Sequence, residues 1–270
     1  RWQSVICAAS AHIHVDEGGA PESMAGMKLW TVPTADGKLR PDDVQGQCFD
    51  MEFVHRAQPG AVSITQSSEL GTVYSPDEVS ALAEVAHANN LALHMDGARL
   101  SNAAASLHVP VRAFTVDAGV DLVSFGLTKN GAMAAESVIV LNGDRVQGVD
   151  FLRKTSMQLA SKMRFLSAQF VAMLTDDLWL RSAGHANAMA SRLHDGVGDL
   201  SGVTITQSVD ANAVFVLLPE QVASRLQERF HFYTWDQATG EVRWMCAWDT
   251  TESDVDDFVA AVRGELASGA

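Results

Sequence analysis

Through the first half of the chain, short apolar runs alternate with stretches of helical period. Val5-Ile6-Cys7 reads as the middle of a strand, and Ala61-Val62-Ser63-Ile64-Thr65 has the length and β-branched content of a buried one. Ser75-Pro76-Asp77-Glu78 supplies an N-cap, a proline at the first helical position and a glutamate three residues past the cap, so a helix is predicted to about Ala88. Leu91-Ala92-Leu93-His94-Met95 is the next strand and closes on Asp96-Gly97. An Ala-rich helix from about Asn102 to Leu107 precedes two further strands, Val120 to Phe125 and Ser137 to Leu141. Strands alternating with helices at this spacing predict a mainly parallel α/β sheet covered on both faces. Ligands of such sheets bind outside the carboxyl ends of the strands, where Asp96 and the loop after Phe125 fall.

The second half has a different rhythm. Helical pattern runs from about Asp150 to Leu174 and from Asp177 to Leu193 with no strand signal between. Short strands follow at Val203 to Thr206, Ala213 to Leu217 and Val242 to Cys246, with a helix after Pro219 and a closing helix from Thr250 to Asp254 onward. The pattern predicts a large domain over residues 1–150 and, over 151–270, connecting helices with a smaller C-terminal α/β domain. The chain opens on Arg1 without an initiator Met, so part of the N-terminus is expected to be missing.

Composition narrows the partners. With 47% hydrophobic and 19% charged residues among 270, the chain carries enough apolar material for a core. Lys plus Arg number 19 and Asp plus Glu 33, a net charge of −14. That sign argues against nucleic acid or an anionic membrane as main partner. No apolar run reaches the ~18 residues of a membrane span. Cys7, Cys48 and Cys246 are too widely spaced for a disulfide framework or a zinc cluster, so a cytoplasmic setting is expected.

The candidate chemistry lies at two predicted strand ends, His94-Met95-Asp96-Gly97-Ala98-Arg99 and Ser124-Phe125-Gly126-Leu127-Thr128-Lys129-Asn130-Gly131-Ala132. A carboxylate and an amine on neighbouring strand ends suit pyridoxal 5′-phosphate: the lysine binds the cofactor covalently, and the acid keeps the pyridine nitrogen protonated so that the ring accepts carbanion charge. The same residues also read as an Asp-Gly turn and a solvated loop cation, and spacing leaves both readings open. An extended Ala11 to Glu17 segment would put His12 and His14 on one face, a weak pointer to a metal site with Glu17. No Gly-x-Gly-x-x-Gly follows a predicted strand, which disfavours a nicotinamide dehydrogenase.

Taken together, these two segments resemble the threonine aldolase branch of the aromatic-amino-acid β-eliminating lyase family. So do Ala11-His12-Ile13-His14-Val15-Asp16-Glu17-Gly18-Gly19-Ala20-Pro21-Glu22 and Thr65-Gln66-Ser67-Ser68-Glu69-Leu70-Gly71-Thr72-Val73-Tyr74, and the likeness runs through the whole chain in order. The resemblance implies the fold of pyridoxal-phosphate-dependent transferases, fold type I of the aspartate aminotransferase kind. It implies Lys129 as the cofactor-bearing lysine, Asp96 as partner of the pyridine nitrogen and His12 as the histidine stacked on the ring. Arg99 and Arg243 match the two arginines that hold the substrate carboxylate, a task for which a guanidinium fork is shaped. Arg164 matches a phosphate-contacting arginine, although the glycines around it in many relatives are Ala160, Ser161 and Lys162 here. Glu69 reads as a surface-loop acid, with contact to the site as its alternative, and the family gives no support to a metal site.

The family's phosphate loop, and a small polar residue that also touches the carboxylate, are expected ahead of Arg1. Many relatives carry a second histidine in the loop corresponding to Thr65 to Gly71; this chain has none there, which leaves His12 with a bound water as the candidate base. The activity implied is cleavage of a β-hydroxy-α-amino acid, such as L-threonine or L-allo-threonine, to glycine and an aldehyde, in a homodimer or homotetramer. The rivals are β-elimination or racemisation on the same cofactor, and a non-catalytic homologue that keeps the fold alone.

Overall fold

Six strands form the first sheet: β1 (Gln3–Ala8), β2 (Lys28–Val32), β3 (Gln58–Thr65), β4 (Ala92–Gly97), β5 (Leu122–Gly126) and β6 (Glu136–Val140). Their order in the computed structural model, which describes residues 2–268, is β2-β1-β3-β4-β5-β6, with every pairing parallel except β5–β6. The direction of winding reverses between β1 and β3, so the crevice outside their carboxyl ends is the topological switch point. The predicted α/β class, and the mainly parallel sheet, are what the chain forms.

Helices α1 (His12–Val15), α2 (Pro41–Gln47), α3 (Pro76–Ala88) and α4 (Leu100–Leu107) join these strands. The capping box that predicted α3 is present: Glu78 N–H donates to Ser75 Oγ at 3.2 Å and Ser75 N–H donates to Glu78 Oε2 at 2.8 Å. Val79, Leu82, Ala83 and Ala86 then bury one face of α3, the i, i+3, i+4, i+7 stripe of a helix laid on a sheet. The predicted helix over Asp150 to Leu174 is two, α5 (Val149–Thr155) and α6 (Met163–Leu174), because Met157 turns into the left-handed region at φ 59°. α7 (Leu178–Val197) follows.

The second sheet contains β7 (Thr204–Ile205), β8 (Ala213–Leu217), β9 (Tyr233–Asp236) and β10 (Glu241–Met245) in the order β7-β8-β10-β9, all antiparallel. α8 (Glu220–Gln227) and α9 (Glu252–Ser268) pack with it. Its core of Val214, Val216, Leu226, Trp244 and Val262 is separate from the first sheet's core of Ile6, Val62, Leu93, Met95, Val123 and Leu127. The first core reaches as far along the chain as Met173 and Trp179, and the second begins at Met189. α7 therefore runs from one core into the other. Among the described residues no helix is long and apolar enough to cross a membrane.

Candidate active site

The parallel strands deliver their polar groups at one end of the sheet. Asp96 closes β4, paired with Thr65 on one side and Ser124 on the other. Its Oδ1 accepts from Ala98 N–H at 3.0 Å and its carbonyl accepts from Gln66 N–H at 2.8 Å, so the carboxylate has a fixed seat. Gly97 next to it admits no side chain: a Cβ would lie 2.8 Å from the Ser124 carbonyl oxygen. Two residues before Asp96, on the same face, His94 exchanges hydrogen bonds with Ser63 through Nδ1 and Ser124 through Nε2, both at 2.9 Å. Burial holds its pKa below the ordinary histidine value, with Asp96 opposing. This neutral His94 bridge across three strands was missed in the sequence, where His94 read only as a strand residue.

Lys129 lies in a short 3-10 turn, Thr128–Asn130, after β5. The turn is pinned by Ala135 N–H on Thr128 Oγ1 at 3.1 Å and by Asn130 Nδ2 on the Trp179 carbonyl at 2.8 Å. Lys129 keeps an exposed surface at the crevice rim, yet partial desolvation lowers its amine pKa, and the Arg99 charge lowers it further. Glu69, Asp96 and Glu136 act in the opposite direction. Asp96 and Lys129 thus stand within each other's field, while among the described residues they form no ion pair. An amine of lowered basicity in the field of a fixed carboxylate suits a carbonyl-binding lysine.

His12 opens α1, which follows β1 at the switch point, and its Nδ1 lies 2.9 Å from Glu17 Oε1. Its Nε2 lies 4.0 Å from Asp16 Oδ2, so a carboxylate stands near each ring nitrogen. Because the segment is helical rather than extended, His14 turns to a different face from His12. Among the described residues no group of three or more His, Cys, Asp or Glu side chains is placed to hold a metal ion.

Arg99 follows β4, and Arg243 comes from β10 of the other sheet. Both reach the same carboxylate, that of Glu69, with Nη1 atoms at 3.6 and 3.8 Å from Glu69 Oε2. Arg243 lies over the Trp235 ring, 4.3 Å from its centroid. The expectation that Glu69 is a surface acid is wrong: only 3% of its side chain is exposed. A Ser-Ser-Glu-Leu-Gly loop looks like a solvated turn in isolation, but the second sheet packs over it, with Leu70 against Ala213 and Phe215. Arg164 is exposed on α6 and set over its neighbour Phe165.

The fold is an α/β one in which Asp96 and Lys129 fall at strand ends and an arginine from each sheet's side approaches Glu69. A family model described as Beta-eliminating lyase matches residues 1–221. The chain is 40% identical over 269 residues to a low specificity L-threonine aldolase of Pseudomonas sp. (strain NCIMB 10558), covering 99% of this chain and 78% of that one. It is 42% identical to the low specificity L-threonine aldolase of Pseudomonas aeruginosa, over 97% of this chain and 76% of the relative. The chain belongs to the beta-eliminating lyase family, and is a lyase. Among solved structures, the threonine aldolase of Leishmania major superimposes with a TM-score of 0.89 at 29% identity, covering 97% of this chain and 77% of that one.

Proposed function

We propose that the chain is a pyridoxal-phosphate-dependent aldolase that cleaves a β-hydroxy-α-amino acid of the L-threonine or L-allo-threonine type to glycine and an aldehyde. The observation that carries the reading is the partly desolvated Lys129 amine in the field of Asp96 without pairing to it, in a chain 40% and 42% identical to two named threonine aldolases. The residues present fit the cofactor: an amine of lowered basicity for its aldehyde, and a carboxylate fixed by Ala98 N–H for its ring nitrogen. Bound there, pyridoxal phosphate supplies an electron-accepting ring for the pair released when the Cα–Cβ bond breaks.

The chain's own groups do the rest. With the cofactor bound, Asp96 would hold a proton at its ring nitrogen, and the neutral His94 bridge joins the three strand ends. Arg99 and Arg243 take the substrate carboxylate and fix rotation about Cα. His12, held at Nδ1 by Glu17 and with Asp16 4.0 Å from Nε2, is the group that would take the β-hydroxyl proton, through a water. The phosphate role for Arg164 rests on the family resemblance alone.

A homodimer or homotetramer is part of the same reading. It is supported by exposed apolar side chains on β6, α5 and α6, among them Ile139, Phe151, Leu152 and Phe165, which invite a covering surface. Free thiols at all three cysteines suit a cytoplasmic setting.

The test supplies L-threonine and L-serine to the cofactor-loaded protein. Glycine and acetaldehyde from threonine are expected; pyruvate and ammonia from serine as the main products would replace the reading with β-elimination. Lys129→Ala is expected to lose the visible absorbance band of the bound cofactor along with turnover, and retention of both would refute the lysine's assignment.

A further inference from the structure

The Glu69 carboxylate sits between two guanidiniums that come from different units and are themselves 12% and 16% exposed. At 3.6 and 3.8 Å, both contacts are longer than a charge-assisted hydrogen bond, so a carboxylate is held in the common field of two cations rather than forked to either. Two enclosed cations facing one another are costly without an anion beside them. Burial and Arg99 both lower the basicity of Arg243, and Glu69 restores part of it.

The loop that carries Glu69 is fastened at both ends. Gln66 Nε2 donates to the Tyr74 carbonyl at 2.8 Å and Tyr74 N–H donates back to Gln66 Oε1 at 3.0 Å. Ser68 N–H donates to the Thr72 carbonyl at 2.9 Å, and Thr72 Oγ1 donates to the Asp36 carbonyl at 2.7 Å. Gly71 takes a left-handed φ of 80° to close the turn. The carboxylate is therefore held in place beside the two guanidiniums.

On the reading that Arg99 and Arg243 receive the substrate carboxylate, we propose that Glu69 is a specificity-determining residue: it cancels one of the two guanidinium charges and leaves a subsite of net charge +1 that accepts one carboxylate and rejects dianions. A single α-carboxylate offsets the charge that Glu69 leaves on the arginine pair, while Lys129 near Arg99 and Asp16 near Arg243 act alike with and without Glu69. A second carboxylate would face Glu69 inside a partly desolvated space, where like charges a few ångströms apart repel strongly. Glu69→Gln preserves shape and an acceptor oxygen but leaves the pocket doubly positive.

Propionate and malonate, which share a carboxylate and differ by a second one, are titrated calorimetrically into the cofactor-saturated full chain. In the unaltered protein malonate is expected to bind no tighter than propionate. In Glu69→Gln the malonate-to-propionate affinity ratio is expected to rise about tenfold or more, the effect of one unit charge a few ångströms away in a partly desolvated site. Glu69→Asp, which retains the charge, is expected to restore the original ratio. Adding Arg243→Leu to Glu69→Gln is expected to abolish the gain, which locates it at the arginine pair.

A tenfold malonate preference in the unaltered protein overturns the proposal even if Glu69→Gln does not fold. So does an unchanged ratio in folded Glu69→Gln. Neither probe is a substrate, so the outcome is separate from aldol cleavage. A failure to release glycine with a shifted anion ratio would sink the aldolase reading and spare the charge setting, and the converse would do the opposite.

Discussion

His94 is the residue whose environment most clearly forbids a charge. Ser63 and Ser124 occupy its two nitrogens, and desolvation places its folded-state pKa below the ordinary 6.5, with Asp96 offsetting part of the shift. A depressed histidine pKa means that the unfolded chain binds the proton first as pH falls. The stabilisation is then complete above about 6.5 and is lost as pH drops from there through the folded value. Melting temperature measured from pH 8 to 5 should fall on the acid side, and His94→Gln should flatten that slope. The same variant should cost about 1–3 kcal/mol at neutral pH through serine hydroxyls left without a partner. At the neighbouring position, Asp96→Asn should lower kcat on the order of 10²-fold, as loss of one preorganised electrostatic partner does elsewhere, with the protein still folded by circular dichroism.

Among the elements, α3 and the β4–β5 pair show two kinds of local control. Ser75→Ala removes the acceptor for Glu78 N–H and should cost about 1 kcal/mol, read as a lower urea midpoint with unchanged m-value. Gly97→Ala acts by volume: its Cβ would press on the Ser124 carbonyl at 2.8 Å and on Leu100 and Val123 at 3.2 Å. Backbone cannot yield as a flexible side-chain end can, so a loss of about 1–3 kcal/mol is expected. Because Asp96 is the adjacent residue, cofactor affinity measured by absorbance titration should weaken as well. Two strands that escaped sequence reading, β2 and β9, are short edge strands with few fully buried positions, and their pattern carries little period-2 signal. The division of the helix over Asp150 to Leu174 escaped for a different reason: the residues at Met157 to Lys162 are individually tolerant of a helix.

For the whole molecule, the site depends on how two separately cored units dock. Asn102 on α4 and Asn187 on α7 join by Asn102 Nδ2 to Asn187 Oδ1 at 3.0 Å and Asn187 Nδ2 to the Asn102 carbonyl at 2.9 Å. Val73 N–H reaches Asp210 Oδ2 at 3.2 Å, and Gln207 Nε2 reaches the Ala35 carbonyl at 3.0 Å. Asn187→Ala should cost about 1–3 kcal/mol in denaturant unfolding. Since Arg243 rides on the second unit, the same change should raise KM for threonine more than it lowers kcat.

Local chemistry was decided along the chain. The α3 cap, the apolar runs of β3, β4, β5 and β8, and the delivery of Asp96 and Lys129 to strand ends all follow from interactions between residues a few positions apart, which the sequence displays. The enclosure of Glu69, its company with Arg99 and Arg243, and the neutral state of His94 were decided only in three dimensions. Each depends on a second strand or a second sheet arriving from 30 to 174 residues away, as the Ser124–His94 and Glu69–Arg243 contacts span. Burial and charge pairing are properties of that arrival, and a side chain's own type carries no record of what will cover it.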